Sequence, residues 1–203
     1  MKLFAFTDLH ASITDFKRIE AKIKKRKPDA IICCGDFTIF EQNIEQVLKK
    51  IDAFGFPVYL IHGNHEMDAI VKKLCSKTKN IQFVHNKIFK MGDYTVVAHG
   101  GGGFYGKGKL AGDKEFEEFV QKNKDKITGQ IVLLTHAPPA NSALDYISWM
   151  DDHVGCKSYM DFIKEYKPIL ALSGHIHETF GAVQKLGKTI LCNPGPSGRI
   201  III

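Results

Sequence analysis

Apolar, β-branched runs recur along the chain at residues 2–6, 30–34, 58–62, 94–98, 131–135, 169–173 and 189–192, and each predicts a strand. Segments near 13–26, 41–54, 66–76, 113–124 and 156–166 read as helices. The opening order is thus βαβαβα, which argues for an α/β fold with a largely parallel sheet, covered by helices through right-handed crossovers. Later runs stand closer together. Residues 81–84, 87–91 and 94–98 form one such group and 182–186, 188–193 and 198–203 another; both predict hairpins, as antiparallel additions or a second sheet. Gly187-Lys188 is a turn between two of these strands, and the closing Ile200–Ile203 run is a strand that something must cover. With no repeat, low-complexity tract or linker, residues 1–203 are expected to form a single domain with a substantial core.

Composition narrows the class. A hydrophobic content of 44% and a charged content of 25% suit a soluble globular chain and exclude disordered and fibrous ones. No apolar run approaches the roughly 20 residues of a membrane span, and Lys2 is followed by too few apolar residues before Asp8 for a secretory signal. A cytoplasmic protein without a membrane partner is expected. Cys33, Cys34, Cys75, Cys156 and Cys192 are odd in number and lack CxxC spacing, so they read as free thiols. The net charge of +6 suits an anionic substrate, but Lys22, Lys24, Lys25, Arg26 and Lys27 account for much of it. These residues end a predicted helix, where cations complement the dipole, so a nucleic-acid partner is not indicated.

The polar residues that follow the apolar runs carry the chemistry. Ligands in open α/β sheets bind beyond the carboxyl ends of the strands, and Asp8, Asp36 and Asn64 fall there. Asp8 and His10 stand two apart, so in an extended stretch both point one way and can hold one metal. Asp36 lies 28 residues after Asp8, and Asn64 another 28 after Asp36, one ligand per βα unit. A carboxylate such as Asp36 can bridge two cations, whereas Asn64 offers one carbonyl oxygen. His136 closes another apolar run, and His175 and His177 repeat the two-residue spacing. Paired metals clamp both oxygens of an in-line displacement at phosphorus and turn a bridging water into hydroxide near neutral pH. His65 could then contact a phosphoryl oxygen or protonate the leaving oxygen.

The ordered set Asp8-Leu9-His10, Gly35-Asp36, Gly63-Asn64-His65-Glu66, His136 and Gly174-His175-Ile176-His177 resembles the signature of the calcineurin-like metallophosphoesterase superfamily. Gly35-Asp36-Phe37-Thr38, Thr135-His136-Ala137-Pro138-Pro139 and His177-Glu178 look most like its small MPPED-like phosphodiesterase branch, while Asn193-Pro194-Gly195 is similar to other small phosphodiesterases. The resemblance implies two facing mixed β-sheets flanked by helices, a four-layer sandwich. It implies that Asp8, His10, Asp36 and His177 bind a first divalent metal and Asp36, Asn64, His136 and His175 a second, with His65 and Asp36 catalytic. The donor set suits Mn, Fe, Zn or Ni. A binuclear phosphodiesterase using a metal-bridging hydroxide on a small or nucleotide-like phosphoester is the leading reading. The alternatives are a phosphomonoesterase with the same metals and a noncatalytic scaffold of the same fold.

Other residues carry two readings each. Glu66 either orients a ligand or is a carboxylate near a helix N-terminus, and His99 is either a substrate contact or a structural histidine. His62 reads as packing or support, His85 and His153 as solvated turn residues, and Trp149 as a half-buried aromatic rather than a stacking surface for a base. Gly101–Gly108 resembles a P-loop, but Gly108 stands where a Ser or Thr is needed.

Overall fold

The computed structural model describes residues 1–105 and 111–203. In chain order, the first half contains β1 (Lys2–Phe6), α1 (Ile13–Arg26), β2 (Ala30–Cys33), α2 (Ile44–Asp52), β3 (Val58–Leu60), α3 (Asp68–Cys75) and β4 (Ile81–Phe83). The second contains β5 (Lys87–Met91), β6 (Tyr94–His99), α4 (Lys114–Lys122), β7 (Gln130–Thr135), β8 (Tyr146–Ile147), β9 (Asp152–His153), α5 (Lys157–Tyr166), β10 (Leu170–Leu172), β11 (Val183–Leu186), β12 (Thr189–Cys192) and β13 (Arg199–Ile202).

Two mixed sheets face each other. One runs β13-β1-β2-β3-β4, and the other β11-β12-β10-β7-β6-β5. Alternation along each strand explains why the runs are apolar throughout. Leu3 and Ala5 of β1 and Ile32 of β2 pack on Val96, Ala98, Val132 and Leu134 of the second sheet. Their neighbours Phe4, Phe6, Ile31 and Cys33 turn outward to α1, α2 and α3. On the far side Val97, Leu133 and Ala171 meet Phe116 of α4 and Tyr159 and Phe162 of α5. Helix α1 shows the local logic: Ser12 caps it by accepting the Asp15 N–H, and Phe16, Ile19 and Ile23 form its buried stripe.

Two expected hairpins are absent. The 87–91 and 94–98 runs do pair antiparallel, but the 81–84 run lies in the other sheet, parallel to β3. The chain changes sheets at Val84–Asn86. Likewise β11 and β12 form the expected hairpin around Gly187, whereas the closing isoleucines cross back to pair with β1. Helix α2 starts three residues later than expected because Phe40, Glu41 and Asn43 adopt positive φ. Helix α3 starts after Glu66, whose side chain turns inward. Lys22 is not simply solvated: its Nζ donates to the Ser197 and Gly198 carbonyls, tying α1 to the loop before β13. All five cysteines are buried free thiols. No helix among the described residues is long and apolar enough to cross a membrane.

Candidate metal centre

The parallel strands of both sheets end at one rim. Asp8, Asp36 and Asn64 follow β1, β2 and β3; His136 follows β7, and His175 and His177 follow β10. The sandwich therefore brings together residues from the two halves of the chain. Ligand atoms of Asp8, His10 and His177 lie within 4.8 Å of one another, as do those of His10, Asp36 and His65, and of Asp36, His136 and His175. Asp36 belongs to the last two sets and His10 to the first two. Asn64 joins through its Oδ1, 3.1 Å from His136 Nε2.

The backbone bends sharply to deliver these groups. Asp8, His10, Asp36 and His175 have φ of 49°, 44°, 49° and 68°. Such conformations cost about 1–3 kcal/mol each outside glycine and cluster where function fixes the chain. Two glycines allow close approach. A Cβ on Gly63 would overlap the Asp36 carboxylate, and one on Gly174 would overlap Thr7 Oγ1 and Asp8 Oδ2. Gly174→Ala is therefore expected to destabilise the protein by about 1–3 kcal/mol through overpacking and to weaken metal binding, read from urea unfolding and a metal titration. Unchanged metal affinity would count against Gly174 as the seat of Asp8.

Each carboxylate is held by one oxygen and offers the other. Asp8 Oδ2 accepts from the Thr7 hydroxyl at 2.7 Å and the His175 N–H at 2.9 Å, and Asp36 Oδ1 accepts from the His65 N–H at 2.9 Å. The free oxygens face histidines: Asp8 Oδ1 is 3.6 Å from His177 Nε2, and Asp36 Oδ2 is 3.3 Å from His136 Nε2. Burial would raise both carboxyls, but His177 and His136 hold Asp8 below its ordinary range, and His136 holds Asp36 far below it. Burial lowers His136, yet the Asp36 carboxylate outweighs it and lifts the ring to about 9. His175 goes the other way, to about 4, through burial and then the His136 charge.

These contacts fit divalent cations. His10 Nδ1 lies 3.0 Å from the Thr38 carbonyl and His136 Nδ1 2.8 Å from that of Cys34, so both rings donate there and turn their Nε2 atoms inward, where a cation would take the place of any proton they carry. Inward the groups crowd together: His10 Nε2 is 3.3 Å from His177 Nε2, and His136 Nε2 faces Asn64 and Asp36 oxygens. Asp8 Oδ1 and His175 Nε2 are buried with no hydrogen-bond partner among the described residues. Carboxylate and imidazole atoms converging on one place, with orphaned lone pairs beside them, are what a cation satisfies.

Residues around this cluster resolve the open readings. Glu66 is a buried brace: its carboxylate accepts the N–H groups of Asp36, Gly63 and Thr38 and the Thr38 hydroxyl, at 2.7–3.1 Å. Burial and then the Asp36 charge push it up to about 7. Asn193 is buried and holds the turn that carries His177, donating to the Ile176 carbonyl and Thr179 Oγ1. Neither Thr7, Thr38 nor Asn193 was assigned a role by the sequence; the available signal was a polar residue at the end of a buried run. The Phe40 N–H, also unforeseen, donates to His65 Nδ1 at 3.3 Å, so in the neutral ring the proton sits on Nε2, 3.9 Å from Asp36 Oδ2.

A second histidine group lies beneath the glycine segment. His62, His85 and His99 pack ring to ring, and His99 lies between Asn86 and Asp113 as a structural histidine. His85 is largely buried and accepts the Gly100 N–H, which corrects its reading as a solvated residue. His153 is partly exposed and bound to Asp145. The P-loop-like stretch runs into residues 106–110, which lie outside the described residues. Trp149, expected to be half buried, is 75% exposed, with its indole N–H donating to Glu178 beside His177. Phe40 stacks on His65 with centroids 4.2 Å apart, and Phe104 lies 5.0 Å from His175. A cleft of about 190 Å³ opens between Phe40 and Met67, reaching Asn64 and His65. A larger cleft of about 570 Å³, between β5 and α4, lacks the metal-ligand cluster.

Residues 1–179 match the family model described as calcineurin-like phosphoesterase. No curated protein matches the chain. Among solved structures, the chain is similar to protein TT1561 of Thermus thermophilus, with 16% identity, a TM-score of 0.71, and coverage of 97% of this chain and 89% of that one. It is also similar to the phosphopantetheinyl hydrolase PptH of Mycobacterium tuberculosis, with 14% identity, a TM-score of 0.70, and coverage of 99% and 95%. An archaeal phosphodiesterase aligns with 14% identity, a TM-score of 0.53, and coverage of 96% and 84%.

Proposed function

The chain belongs to the calcineurin-like phosphoesterase family, and from that premise we propose that it is a phosphodiesterase that binds two divalent metal ions and cleaves small or nucleotide-like esters. The observation that carries this reading is the sharing of Asp36 and His10 among three overlapping ligand sets. Asp8, His10, Asp36 and His177 would hold one cation, and Asp36, Asn64, His136 and His175 the other. Mn, Fe, Zn and Ni all suit these donors. When bound there, the cations would supply an activated water and neutralise charge on the phosphoryl oxygens.

The protein's own groups do the rest. His65 presents its Nε2–H beside Asp36, in reach of an oxygen that gains charge as the ester bond breaks. The Phe40 N–H on the other ring nitrogen fixes that orientation. Glu66, by gathering three backbone N–H groups, sets the distance between the Asp36 and Asn64 turns. The diester is favoured because side chains stand exposed on both sides of the cluster, Phe40 at His65 and Phe104 at His175, so each organic group on one phosphorus finds a surface. The archaeal neighbour is named as a phosphodiesterase, in keeping with this choice.

The test compares bis-p-nitrophenyl phosphate with p-nitrophenyl phosphate, using protein loaded in turn with Mn²⁺, Zn²⁺, Fe²⁺ and Ni²⁺. Faster turnover of the diester is expected. Preference for the monoester selects the phosphomonoesterase, and no turnover with any metal selects the noncatalytic scaffold. His65→Ala is expected to lower kcat by about a hundredfold or more while both metals stay bound, as metal analysis would record. Loss of both metals in that variant would contradict its separation from the ligands.

A further inference from the structure

Of the fourteen phenylalanines and one tryptophan in the chain, those exposed among the described residues are Phe40, Phe104 and Trp149, at 70%, 62% and 75%. Single exposed apolar residues need no explanation, but each of these three touches a residue of the ligand cluster or the neighbour of one, so they are distributed around it. Phe40 lies flat on His65, Phe104 leans on His175, and Trp149 is pinned by Glu178, the neighbour of His177. Each is thus fixed beside the cluster and keeps ring surface open to solvent.

We propose that these three side chains form a stacking platform in parts around the cluster, each part able to take a planar ring carried by the phosphoester, so that the substrate class is an ester of a nucleoside or aryl alcohol rather than of a sugar or alkyl one. The inference rests on the phosphoesterase reading, since it is the phosphate on the metal site that brings the ring to the rim. A ring laid on an aromatic face gains about 1–3 kcal/mol, largely independent of which base it is, while a sugar or short alkyl chain gains much less. The cleft between Phe40 and Met67, about 190 Å³, is smaller than the roughly 300 Å³ at which sites begin to enclose a drug-sized ligand. A planar ring seated there lies against Phe40. Met67, itself 62% exposed, offers an adaptable wall to that ring. The platform grips ring faces, so it selects for a ring without choosing among bases.

Trp149 is the only tryptophan, so its fluorescence reports a ring arriving at the rim. The Mn²⁺-loaded protein is titrated with adenosine 5′-monophosphate, phenyl phosphate and ribose 5-phosphate, and emission is read immediately after mixing. The two ring compounds are expected to quench with half-saturation at least about tenfold lower than ribose 5-phosphate. Tighter binding of the nucleotide than of phenyl phosphate identifies a nucleobase; the reverse identifies an aryl group. Phe104→Ala and Phe40→Ala, both surface changes, are expected to raise the half-saturation for the ring compounds and leave that for ribose 5-phosphate in place. Equal half-saturation for all three compounds, unmoved by both variants, overturns the platform. If bis-p-nitrophenyl phosphate is hydrolysed in that case, the phosphoesterase reading survives alone. Ring-selective quenching without turnover under any metal leaves the platform standing and removes the hydrolase.

Discussion

Asp36→Asn is expected to lower turnover by on the order of a thousandfold and to leave the protein short of metal. The substitution keeps the shape of the side chain and changes only its chemistry. Because the His65 N–H donates to Oδ1 at 2.9 Å, the asparagine carbonyl must stay there, and the amide NH₂ takes the place of Oδ2. That NH₂ then faces His136 Nε2, across a gap of 3.3 Å in the native protein, and has no lone pair to give a cation. Both ligand sets that include Asp36 lose their shared member. Steady-state rates and metal content on the same preparation check the prediction. A variant with two metals and native turnover would show that Asp36 is not the shared ligand.

Glu66→Ala is expected to cost about 3 kcal/mol of stability, because three buried backbone N–H groups lose their acceptor at once. The same change should weaken metal binding by about 10–100-fold, since those N–H groups belong to the turns that carry Asp36 and Asn64. Glu66→Gln should fall between: its carbonyl can still serve Thr38, while the NH₂ opposes the N–H groups of Asp36 and Gly63. Urea unfolding with and without metal separates the two effects. Equal unfolding midpoints for Glu66→Ala and the native chain would leave Glu66 as an ordinary buried carboxylate.

What was legible in the sequence had a local cause. Strands buried on both faces are written as continuous apolar runs, and polar residues just past them mark the rim, so Asp8, Asp36 and His175 stood out. Pairing partners have no such mark. Ile81–Phe83 reads the same whether it joins β3 or β5, and only the folded chain shows which. The closing isoleucines likewise alternate between the two cores, Ile200 to the helical side and Ile201 to the intersheet side, as any strand beside β1 must. Glu66 was ambiguous because its worth lies in three N–H groups from two distant turns. His85 and Trp149 depart from their expected settings for the same reason: one is enclosed by His62 and His99, and the other is held by Glu178.

The placement of the ligands on both sheets also bears on how the chain is held together. His10 and His177 are separated by 167 residues and meet Nε2 to Nε2. A cation gripped by both would close a loop of most of the chain, and closure of so long a loop would remove much of the freedom of the unfolded state. With every cysteine a free thiol, a metal bound there would act as the cross-link that the chain otherwise lacks. This clasp can be undone by a chelator: unfolding should then begin where the two sheets part, at the rim rather than in the core.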